Sequence, residues 1–366
     1  MNRTANFFFL LMVIAFVYQM LYYSFFFIRF LRYRLRKETE FSPAVSVIIA
    51  ARNEAENLKK HLPLWLNQQY ENYELILIDD RSEDGTKEIL AEFKDPKLKI
   101  VEIRNKGRGA KKQALTAGIH AAQNEYLLFT DADCRPASKK WIARMAAGFE
   151  GGKNIVLGYG KYEKRPGWLN KLIRYETVLT GLQYFGYALR RAAYMGVGRN
   201  LAYSRKVFHA VNGFAAHADL LSGDDDLLVN KAATPDNTAI CIHPDAHTNS
   251  LPETNFKDYF NQKFRHYSTS YRYRLIHRIS LFLFTLTQTL FWISAIYLLF
   301  NPLYFKYALF FIMLKSIVYS AIIYSASIKL EDKIPFYFIP FLELNLIIMQ
   351  LLIFVKGLFK KNYTWH

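Results

Sequence analysis

The stretch "LLFTDADCRP", residues 127–136, runs an apolar strand directly into two aspartates that are one residue apart. In an extended chain alternate side chains share a face, so Asp131 and Asp133 can point the same way while Ala132 points elsewhere. Two carboxylates this close repel each other unless a cation offsets their charge. The pair therefore predicts a cation site where a buried strand ends, and carboxylate oxygens favour Mg²⁺ or Mn²⁺.

Similar apolar, β-branched runs come before this one along the chain, and helical patterns fill the gaps between them. The predicted strands are 44–51, 73–79, 98–103 and 125–130. The predicted helices are 54–67, 82–94 and 110–123. Continuous apolarity is typical of strands buried on both faces of a mainly parallel sheet. The alternation predicts an open α/β fold, whose ligands bind at the carboxyl ends of the strands.

Polar clusters follow the first two of these strands. In "ARNEAE", Arg52 and Glu54 are placed to meet a ligand, although an asparagine cap and a helix-start glutamate give the same pattern. In "IDDRSEDGT", Asp79 and Asp80 end the strand, where a carboxylate can accept a hydrogen bond from a ribose hydroxyl or a base N–H. Helix capping explains that pair equally well.

A third cluster, "GRGAKKQ", places glycines and Lys111 ahead of a helix rich in small residues. Backbone amides and a lysine at a helix start suit a phosphate group, although glycine-rich basic loops are common. Together with the three strand ends, this loop predicts a site for a phosphorylated ligand and its cation.

The composition limits the possible classes of protein. The 366 residues are 52% hydrophobic and carry a formal net charge of +17. The basic residues cluster beside long apolar runs and no RNA- or DNA-binding motif accompanies them. Anionic lipid headgroups and a diphosphate substrate therefore explain the charge, and no nucleic acid partner is expected. Cys134 and Cys241 are too few for a disulfide framework and lack metal-site spacing.

The first long apolar run, residues 7–28, contains 22 residues and no charge. As a helix it would be about 33 Å long, enough for a bilayer core of roughly 30 Å. A basic collar over residues 29–37 follows it without a cleavage site, which predicts a retained anchor whose C-terminal end is cytoplasmic. We therefore expect an integral protein of the cell inner membrane in which the soluble domain after the anchor is cytoplasmic.

Three apolar runs lie near the C-terminus. Residues 280–300 are uncharged and residues 307–328 carry one charged side chain, Lys315, so both predict spanning helices. Residues 334–355 contain two prolines and Glu343, so this run could cross, re-enter or lie at the interface. The number of spans after the soluble domain is therefore two or three. The expected boundaries are 1–40 for the anchor and collar, 41–275 for the soluble domain and 276–366 for the C-terminal membrane region.

The segments "VSVIIAARNE", "DDRSEDGT" and "TDAD", in this order, resemble the family 2 glycosyltransferases, and the similarity extends over about residues 43–275. The resemblance implies a GT-A nucleotide-diphospho-sugar transferase fold, a UDP-sugar-type donor and inversion at the anomeric carbon. By the same mapping Asp80 would hold the nucleoside and Lys111 would lie near it. Asp133 would be the principal metal ligand, with Asp131 supporting donor binding.

Two segments further along resemble the acceptor side of the same family. "GVGRNLAYSRKVF" resembles the segment below the acceptor pocket and contains Asn200. "SGDDDLLVNKA" resembles the Glu-Asp motif that opens the catalytic helix, with Asp224 on the family's glutamate and Asp225 on its general base. Because Asp226 follows directly, the register is open by one position, and acidic residues also favour helix N-termini in general.

The segment "NQKFRHY" resembles the family's Gln-x-x-Arg-Trp motif. If it is helical, Gln262 and Arg265 share a face, where the arginine could clamp the leaving diphosphate and the glutamine could contact the acceptor. His266 stands where processive synthases usually have tryptophan. A basic amphipathic collar before the membrane would give a similar pattern.

Three functions are therefore compared. The first is a membrane-anchored transferase that adds one sugar to a lipid or lipid-linked acceptor, and the second is a processive polysaccharide synthase. His266 and the few C-terminal spans count against the second. The third is a non-catalytic membrane scaffold, which would be expected to have lost Asp133, Asp225 or Arg265. No spacing rule identifies the sugar or the acceptor.

Overall fold

The structure is a computed structural model that describes residues 3–35, 39–104, 110–218, 220 and 222–359. The chain divides into two units. One contains residues up to 33, residues 166–186 and residues from 274 onward, and the other contains residues 34–165 and 187–273. The first holds the long apolar helices, and the second holds the sheets and every predicted site residue.

The sheet unit is built from short strands, most of them in one sheet. They are β1 (Val45–Ala51), β2 (Tyr73–Asp80), β3 (Leu98–Ile103), β4 (Tyr126–Phe129), β5 (Arg135–Pro136), β6 (Ile155–Leu157), β7 (Gly160–Tyr162), β8 (Leu201–Ser204), β9 (Thr238–Ile240) and β10 (Thr248–Ser250). The seven-stranded sheet has the order β3-β2-β1-β4-β8-β6-β9, and β5-β10-β7 form a small second sheet. Only β8 runs antiparallel to its neighbours in the large sheet. The expected open, mainly parallel α/β sheet is confirmed.

The helices of both units are numbered together along the chain. They are α1 (Arg3–Tyr22), α2 (Ile28–Arg32), α3 (Ala55–Leu66), α4 (Thr86–Glu92), α5 (Ala110–Ala121), α6 (Trp141–Ala146), α7 (Trp168–Leu189), α8 (Arg205–Ala210), α9 (Asp226–Ala232), α10 (Phe256–Tyr267), α11 (Leu275–Leu299), α12 (Phe305–Lys329) and α13 (Ile339–Phe359).

The core of the sheet unit explains the continuous apolar pattern of β1 and β2. Val47 and Ile49 of β1 are buried with Leu75 of β2 and with Trp65 of α3, while Ile48 is buried as well. Helices therefore cover both faces of these central strands, as the pattern predicts. The expectation is wrong for β3, which lies at the sheet edge and is half-buried or exposed along its length.

Among the described residues of the helical unit, four helical segments are long and apolar enough to cross a membrane. The first, Arg3–Arg32, contains a π-helical turn at Tyr23–Phe27 that joins α1 to α2. The next two are α11 and α12, which confirms the expected spans. The fourth is Phe336–Gly357, so three such helices follow the sheet unit along the chain. Proline is tolerated near a helix start, and Pro340 lies in the first turn of α13.

A buried ion pair explains the glutamate that left the fourth apolar run undecided. Lys315 of α12 is 0% exposed and Glu343 of α13 is 1% exposed. The Lys315 ammonium donates a hydrogen bond to Glu343 Oε1, and Gln288 Nε2 of α11 donates to the same oxygen at 3.1 Å. Charged side chains inside an apolar helix bundle are tolerated when they are paired in this way.

Helix α7 adds polar contacts to the helical unit, although the boundaries expected from the sequence placed it in the soluble domain. The Arg174 guanidinium contacts Asp332 Oδ1 at 2.6 Å, and the hydroxyls of Tyr175 and Tyr319 lie 2.7 Å apart. These side chains tie residues 166–186 to the long apolar helices, a pairing between distant segments that no local pattern indicates.

Candidate active site

The carboxyl ends of β2, β1 and β4 lie side by side, because these strands are parallel neighbours. Ala51 of β1 is opposite Asp79 of β2, and Ile48 of β1 is opposite Phe129 of β4. The polar clusters predicted at these strand ends are therefore neighbours in the fold. Parallel α/β sheets bind their ligands at this edge.

The loops after β1 and β2 hold each other by reciprocal hydrogen bonds. Asn53 N–H donates to Ser82 Oγ at 3.0 Å, and Asn53 Oδ1 accepts from the N–H of Glu83 at 2.8 Å. Ala55 N–H donates to Asp84 Oδ2 at 3.0 Å, which satisfies the first turn of α3. Since these residues form the loop, α4 begins at Thr86 and not at the predicted residue 82.

Arg52 and Glu54, the two ligand candidates after β1, have different surroundings. Arg52 is exposed. Burial raises the pKa of the Glu54 carboxyl, and the charges of Asp133 and Asp131 raise it further against a 2.6 Å hydrogen bond from Asn57. Glu54 therefore belongs to the same electrostatic cluster as the two aspartates after β4, and Arg52 lies on the surface.

The two aspartates at the end of β2 differ in their hydrogen-bond partners. Asp79 is 1% exposed, its Oδ1 accepts from Ser82 N–H at 3.1 Å, and its Oδ2 has no hydrogen-bond partner among the described residues. Asp80 Oδ1 is paired with Arg81 Nε at 2.7 Å. A buried acceptor without a partner costs about 1–3 kcal/mol. Both side chains are buried, and they differ in that Asp80 is paired with a charged neighbour.

Lys111 joins the strand end to the segment that precedes α9. Its Nζ lies 2.8 Å from Asp131 Oδ1 and 3.2 Å from Asp224 Oδ2. Burial opposes the charge of this ammonium, but the two carboxylates outweigh it and hold the pKa of Lys111 well above its usual range. Lys111, Asp131, Asp224 and Asp225 line one pocket, together with Gly198 and apolar side chains. The lysine thus bridges two groups of carboxylates.

Asp131 and Asp133 differ in their tendency to ionise. Burial raises the pKa of both carboxyls. For Asp131 the charges of Lys111 and Arg199 more than compensate, so its pKa is lowered, whereas the nearby charge of Asp131 adds to the raised pKa of Asp133. A cation beside Asp133 would relieve this repulsion.

The residues after β4 fit a divalent cation. Ligand atoms of Asp131, Asp133 and Cys134 all lie within 4.8 Å of one another. Burial, followed by the charge of Asp133, raises the pKa of the Cys134 thiol well above its usual range, and its Sγ donates to Asp133 Oδ1 at 3.1 Å. The thiol therefore serves as a hydrogen-bond donor, and the two carboxylates are the groups suited to Mg²⁺ or Mn²⁺.

Asp225, at the start of α9, is held by two backbone donors. Its Oδ2 accepts from Gly198 N–H at 2.6 Å and its Oδ1 from Asp226 N–H at 2.7 Å. Burial raises the pKa of this carboxyl to about 7, with the charges of Asp224 and Asp226 adding to the effect. A carboxylate with such a pKa can take up a proton near neutral pH.

The next aspartate, Asp226, accepts hydrogen bonds from other parts of the protein on both of its carboxylate oxygens. Its Oδ2 accepts from the hydroxyls of Thr269 at 2.5 Å and Tyr273 at 2.6 Å, and its Oδ1 from Leu227 N–H at 2.7 Å. Asp226 is buried and anchors the segment after α10. Of the three consecutive aspartates, Asp224 and Asp225 are thus the two that face the pocket.

Asn200 has a different environment from the one expected near an acceptor. Its Nδ2 donates to the carbonyls of Tyr159 at 3.0 Å and Ala246 at 2.7 Å, and its Oδ1 accepts from Trp141 Nε1 at 3.1 Å. The side chain is fully buried, so its amide is not available to a substrate. Asn200 instead fixes the turn that places Gly198 against Asp225.

On α10, Gln262 and Arg265 lie one turn apart, as the spacing predicts. Gln262 Nε2 donates to Glu253 Oε1 at 3.2 Å, and its Oε1 is buried without a hydrogen-bond partner among the described residues. Arg265 is exposed in the last turn of the helix. Its guanidinium is therefore available to a ligand.

His266 keeps an exposed surface, but its ring lies in a strongly basic environment. Partial withdrawal from water, and then the charges of Lys263, Arg199, Arg265 and Lys111, hold the pKa of the imidazole well below its usual range. The ring is thus neutral at pH 7 and belongs to the positively charged side of the site. This combination favours anionic ligands.

Arg199, which the sequence interpretation did not select, lies beside the carboxylates after β4. Its guanidinium stacks 4.1 Å from the centre of the Tyr162 ring, and its Nη1 donates to Ser250 Oγ at 2.9 Å. Its charge lowers the pKa of Asp131 and opposes the rise at Asp133. A basic residue between Gly198 and Asn200 was the only sequence signal, since its partners lie far away in the chain.

Comparisons with known proteins find similarity to glycosyltransferases over part of the chain. Residues 46–212 match the family model described as "Glycosyl transferase family 2". Glycosyltransferase AglE of Haloferax volcanii is 37% identical over 122 residues, which are 32% of this chain and 39% of that protein. Poly-beta-1,6-N-acetyl-D-glucosamine synthase of Staphylococcus epidermidis is 36% identical over 101 residues, 27% of this chain and 24% of that protein. The chain thus spans less than two fifths of the length of these curated relatives.

Among solved structures, the mannosyltransferase PcManGT from Pyrobaculum calidifontis, in complex with GDP-Man and Mn²⁺, has a similar fold. The TM-score is 0.57 at 17% sequence identity, and the match covers 89% of this chain and 98% of that chain. At this identity the similarity establishes the fold, which agrees with the GT-A architecture expected from the sequence.

Proposed function

We propose that this chain, which carries a glycosyl transferase family 2 domain, is a membrane-bound inverting glycosyltransferase. It would move a sugar from a nucleotide-diphospho-sugar of the UDP-sugar type to a hydroxyl of a lipid or lipid-linked acceptor in cell-envelope glycan synthesis. The observation that carries the proposal is the pocket in which Lys111, Asp131, Asp224 and Asp225 meet. The pocket combines a base, Asp225, whose pKa is near neutrality, with the Lys111 ammonium, which lies beside the carboxylates suited to a metal ion.

In this proposal Asp225 is the general base. Its carboxylate takes the proton of the acceptor hydroxyl while the acceptor oxygen forms a bond to the anomeric carbon. The bond between that carbon and the phosphate oxygen breaks, and the nucleoside diphosphate leaves with the electron pair from the opposite face. Because Gly198 N–H and Asp226 N–H hold the carboxylate in place, little reorientation is required. Inversion follows without a covalent enzyme intermediate.

Other side chains would bind the donor. Asp131 and Asp133 would hold Mg²⁺ or Mn²⁺, which when bound supplies positive charge to the departing diphosphate. Asp79 and Asp80, at the end of β2, would lie at the nucleoside end of the donor. The exposed Arg265 would add a planar, bidentate contact to the diphosphate. The GDP-Man and Mn²⁺ bound by PcManGT support a nucleotide-diphospho-sugar and a divalent cation as the ligands.

The membrane would supply the acceptor. In the part of the chain that the structure describes, four helices are long and apolar enough to cross a bilayer, which supports an integral membrane protein whose partners are lipids. We place it in the cell inner membrane with the catalytic domain cytoplasmic, because the basic collar after the first helix follows the positive-inside tendency.

A processive polysaccharide synthase is the second candidate, because the chain resembles part of a poly-beta-1,6-N-acetyl-D-glucosamine synthase. A transfer assay separates the two. The detergent-solubilised protein is incubated with radiolabelled UDP-sugars and GDP-mannose, a divalent cation and its own membrane lipids, and products are partitioned into organic and aqueous phases. Asp225→Asn is the negative control.

A discrete labelled species in the organic phase would support single transfer to a lipid. A labelled aqueous product of high molecular weight would support the synthase. If the purified wild-type protein consumed no donor in the presence of its native lipids, the proposed activity would be wrong.

A further inference from the structure

Arg199 is held in a defined position by the small sheet. An added Cβ at Gly160 would lie 3.1 Å from Arg199 Cβ and 3.5 Å from its Nε, so the absence of a side chain at Gly160 makes room for the arginine. The guanidinium then stacks on Tyr162 and donates from Nη1 to Ser250 Oγ. Two neighbouring strands, β7 and β10, therefore fix the orientation of its planar group.

The backbone of Arg199 is tied to the strand that carries the cation-binding aspartates. Its carbonyl oxygen accepts from Thr130 Oγ1 and from Thr248 Oγ1, each at 2.9 Å. Thr130 directly precedes Asp131, and Thr248 pairs with Pro136, just beyond Asp133. The segment containing both aspartates is therefore anchored on each side to the elements that hold Arg199.

Although Arg199 influences both aspartates, it does not pair with them. Its charge favours the ionised forms of Asp131 and Asp133. Within the described part of the chain, however, neither carboxylate lies within salt-bridge distance of it, and its side-chain hydrogen bond goes to Ser250. The stack on Tyr162 and the hydrogen bond to Ser250 keep the guanidinium away from the two carboxylates. This separation leaves several N–H donors, in a planar arrangement that suits a phosphate, without an acceptor among the described residues.

We propose that Arg199 is a phosphate-binding residue. It would contact a phosphate oxygen of a substrate that is bound next to the cation-binding aspartates. A cation on the carboxylates and a guanidinium facing them would together hold one anionic group from two sides. The inference rests on the proposed function for the source of that phosphate. It is either the diphosphate of the sugar donor or a phosphate carried by the lipid-linked acceptor.

Binding measurements test whether the phosphate that Arg199 contacts belongs to the sugar donor. The full-length protein in detergent is titrated calorimetrically with pyrophosphate, UDP and GDP in the presence of Mn²⁺, and with uridine as a ligand without phosphate. Loss of a charge-assisted contact in Arg199→Gln is expected to weaken binding of the three diphosphates by about 10- to 100-fold and to leave uridine binding unchanged. Arg199→Lys, which keeps the charge and loses the fork, is expected to fall between.

Arg135→Gln is the matched control. Arg135 belongs to the same small sheet and forms an exposed pair with Glu163 at 3.0 Å, so its removal should leave diphosphate binding unchanged. Comparable weakening in Arg135→Gln would show a general charge effect and would overturn the assignment to Arg199.

Kinetic measurements test whether the phosphate belongs to the lipid-linked acceptor. Rates at saturating donor are compared for a long-chain prenyl phosphate and for the corresponding prenol. If the affinity for diphosphates is unchanged while Arg199→Gln raises the KM for the prenyl phosphate alone, the acceptor provides the phosphate. If neither quantity changes in a folded Arg199→Gln protein, the proposal is overturned, as it is if the wild-type protein binds no diphosphate and uses no prenyl phosphate.

Two further variants keep the test decisive if Arg199→Gln does not fold. Ser250→Ala and Tyr162→Leu retain the arginine and remove one restraint each, so both should weaken the same ligand several-fold with an unchanged thermal unfolding midpoint. No change in either would overturn the proposal. Loss of diphosphate binding in Arg199→Gln, in a protein that transfers no sugar, would support the phosphate site and contradict the proposed function.

Discussion

The ionisation of Asp225 predicts the pH dependence of catalysis. The structure gives its carboxyl a pKa of about 7. A general base works in its ionised form, so about a tenth of the enzyme is active at pH 6 and about nine tenths at pH 8. We expect kcat/KM to rise roughly tenfold between pH 6 and pH 8, with a slope of one on the acid side.

Substitutions of neighbouring aspartates separate their roles. Asp225→Asn should lower kcat by about 10²- to 10⁴-fold and remove the acid limb. Asp224→Asn removes a charge that raises the pKa of Asp225 and frees Lys111 to attract it, so the limb should move to lower pH. Asp226→Asn should mainly lower the thermal unfolding midpoint, because Asp226 bonds to Thr269 and Tyr273.

The same pKa also predicts a stability effect with a defined sign. Folding raises the pKa of Asp225 from 3.8 to about 7, so the native state binds this proton more tightly than the unfolded state. The resulting stabilisation is fully present below the unfolded pKa and is lost progressively as the pH rises to the folded value. One unit corresponds to about 1.36 kcal/mol, so the loss amounts to about 2 kcal/mol at pH 5 and about 4 kcal/mol at pH 8. Asp225→Asn should therefore stabilise the protein more at pH 8 than at pH 5.

Release of nucleoside diphosphate by the detergent-solubilised protein is followed from about pH 5.5 to 9, with nucleotide affinity measured at each pH to separate binding from chemistry. A flat profile would refute the role of a base with a neutral pKa. If Asp224→Asn abolished both transfer and the acid limb while Asp225→Asn kept them, the base would be Asp224.

Three further predictions concern the cation, the acceptor and the membrane helices. Asp133→Ala should abolish the enhancement of UDP binding by Mn²⁺, and equal affinities with and without the cation in the wild-type protein would contradict the metal assignment. His266→Trp should leave the length of the product unchanged if one sugar is added, whereas longer products would favour the synthase. Lys315→Met should lower stability by about 3–5 kcal/mol, because it leaves Glu343 buried and unpaired, and combining it with Glu343→Leu should restore most of the loss. Thermal unfolding in detergent measures both variants, and a double variant no more stable than the single one would contradict the pairing.

The fold was predictable where local patterns carry the information. Continuous apolar runs located β1, β2 and β4, because strands covered by helices on both faces need apolar side chains at every position. The same reasoning overestimated the burial of β3, since its place at the sheet edge depends on strand order and not on its own residues. The fourth apolar run stayed open for a similar reason. Its Glu343 is explained by Lys315 and Gln288, which lie on two other helices.

The location of the site was predictable, but the choice between adjacent residues was not. Strand ends marked Asp79 and Asp80, yet only the fold shows that Arg81 pairs with Asp80 and that one oxygen of Asp79 is left without a partner among the described residues. Asn200 was expected near the acceptor because its segment resembles the acceptor side of the family, and it is instead bonded to three groups from distant segments. Arg199 was missed because its partners are equally distant.

The three consecutive aspartates show why adjacent, chemically identical side chains need the fold to be told apart. Asp224 is paired with Lys111 from α5, Asp225 accepts from Gly198, and Asp226 accepts from Thr269 and Tyr273. Each partner comes from a different part of the chain, and together the partners determine which carboxylate is paired, which is structural and which can take up a proton. Burial is the largest cause of the raised pKa of Asp225, and the charges of its two neighbours add to it. The run of aspartates is therefore expected to act as a unit, and the effects of double substitutions within it should not be additive.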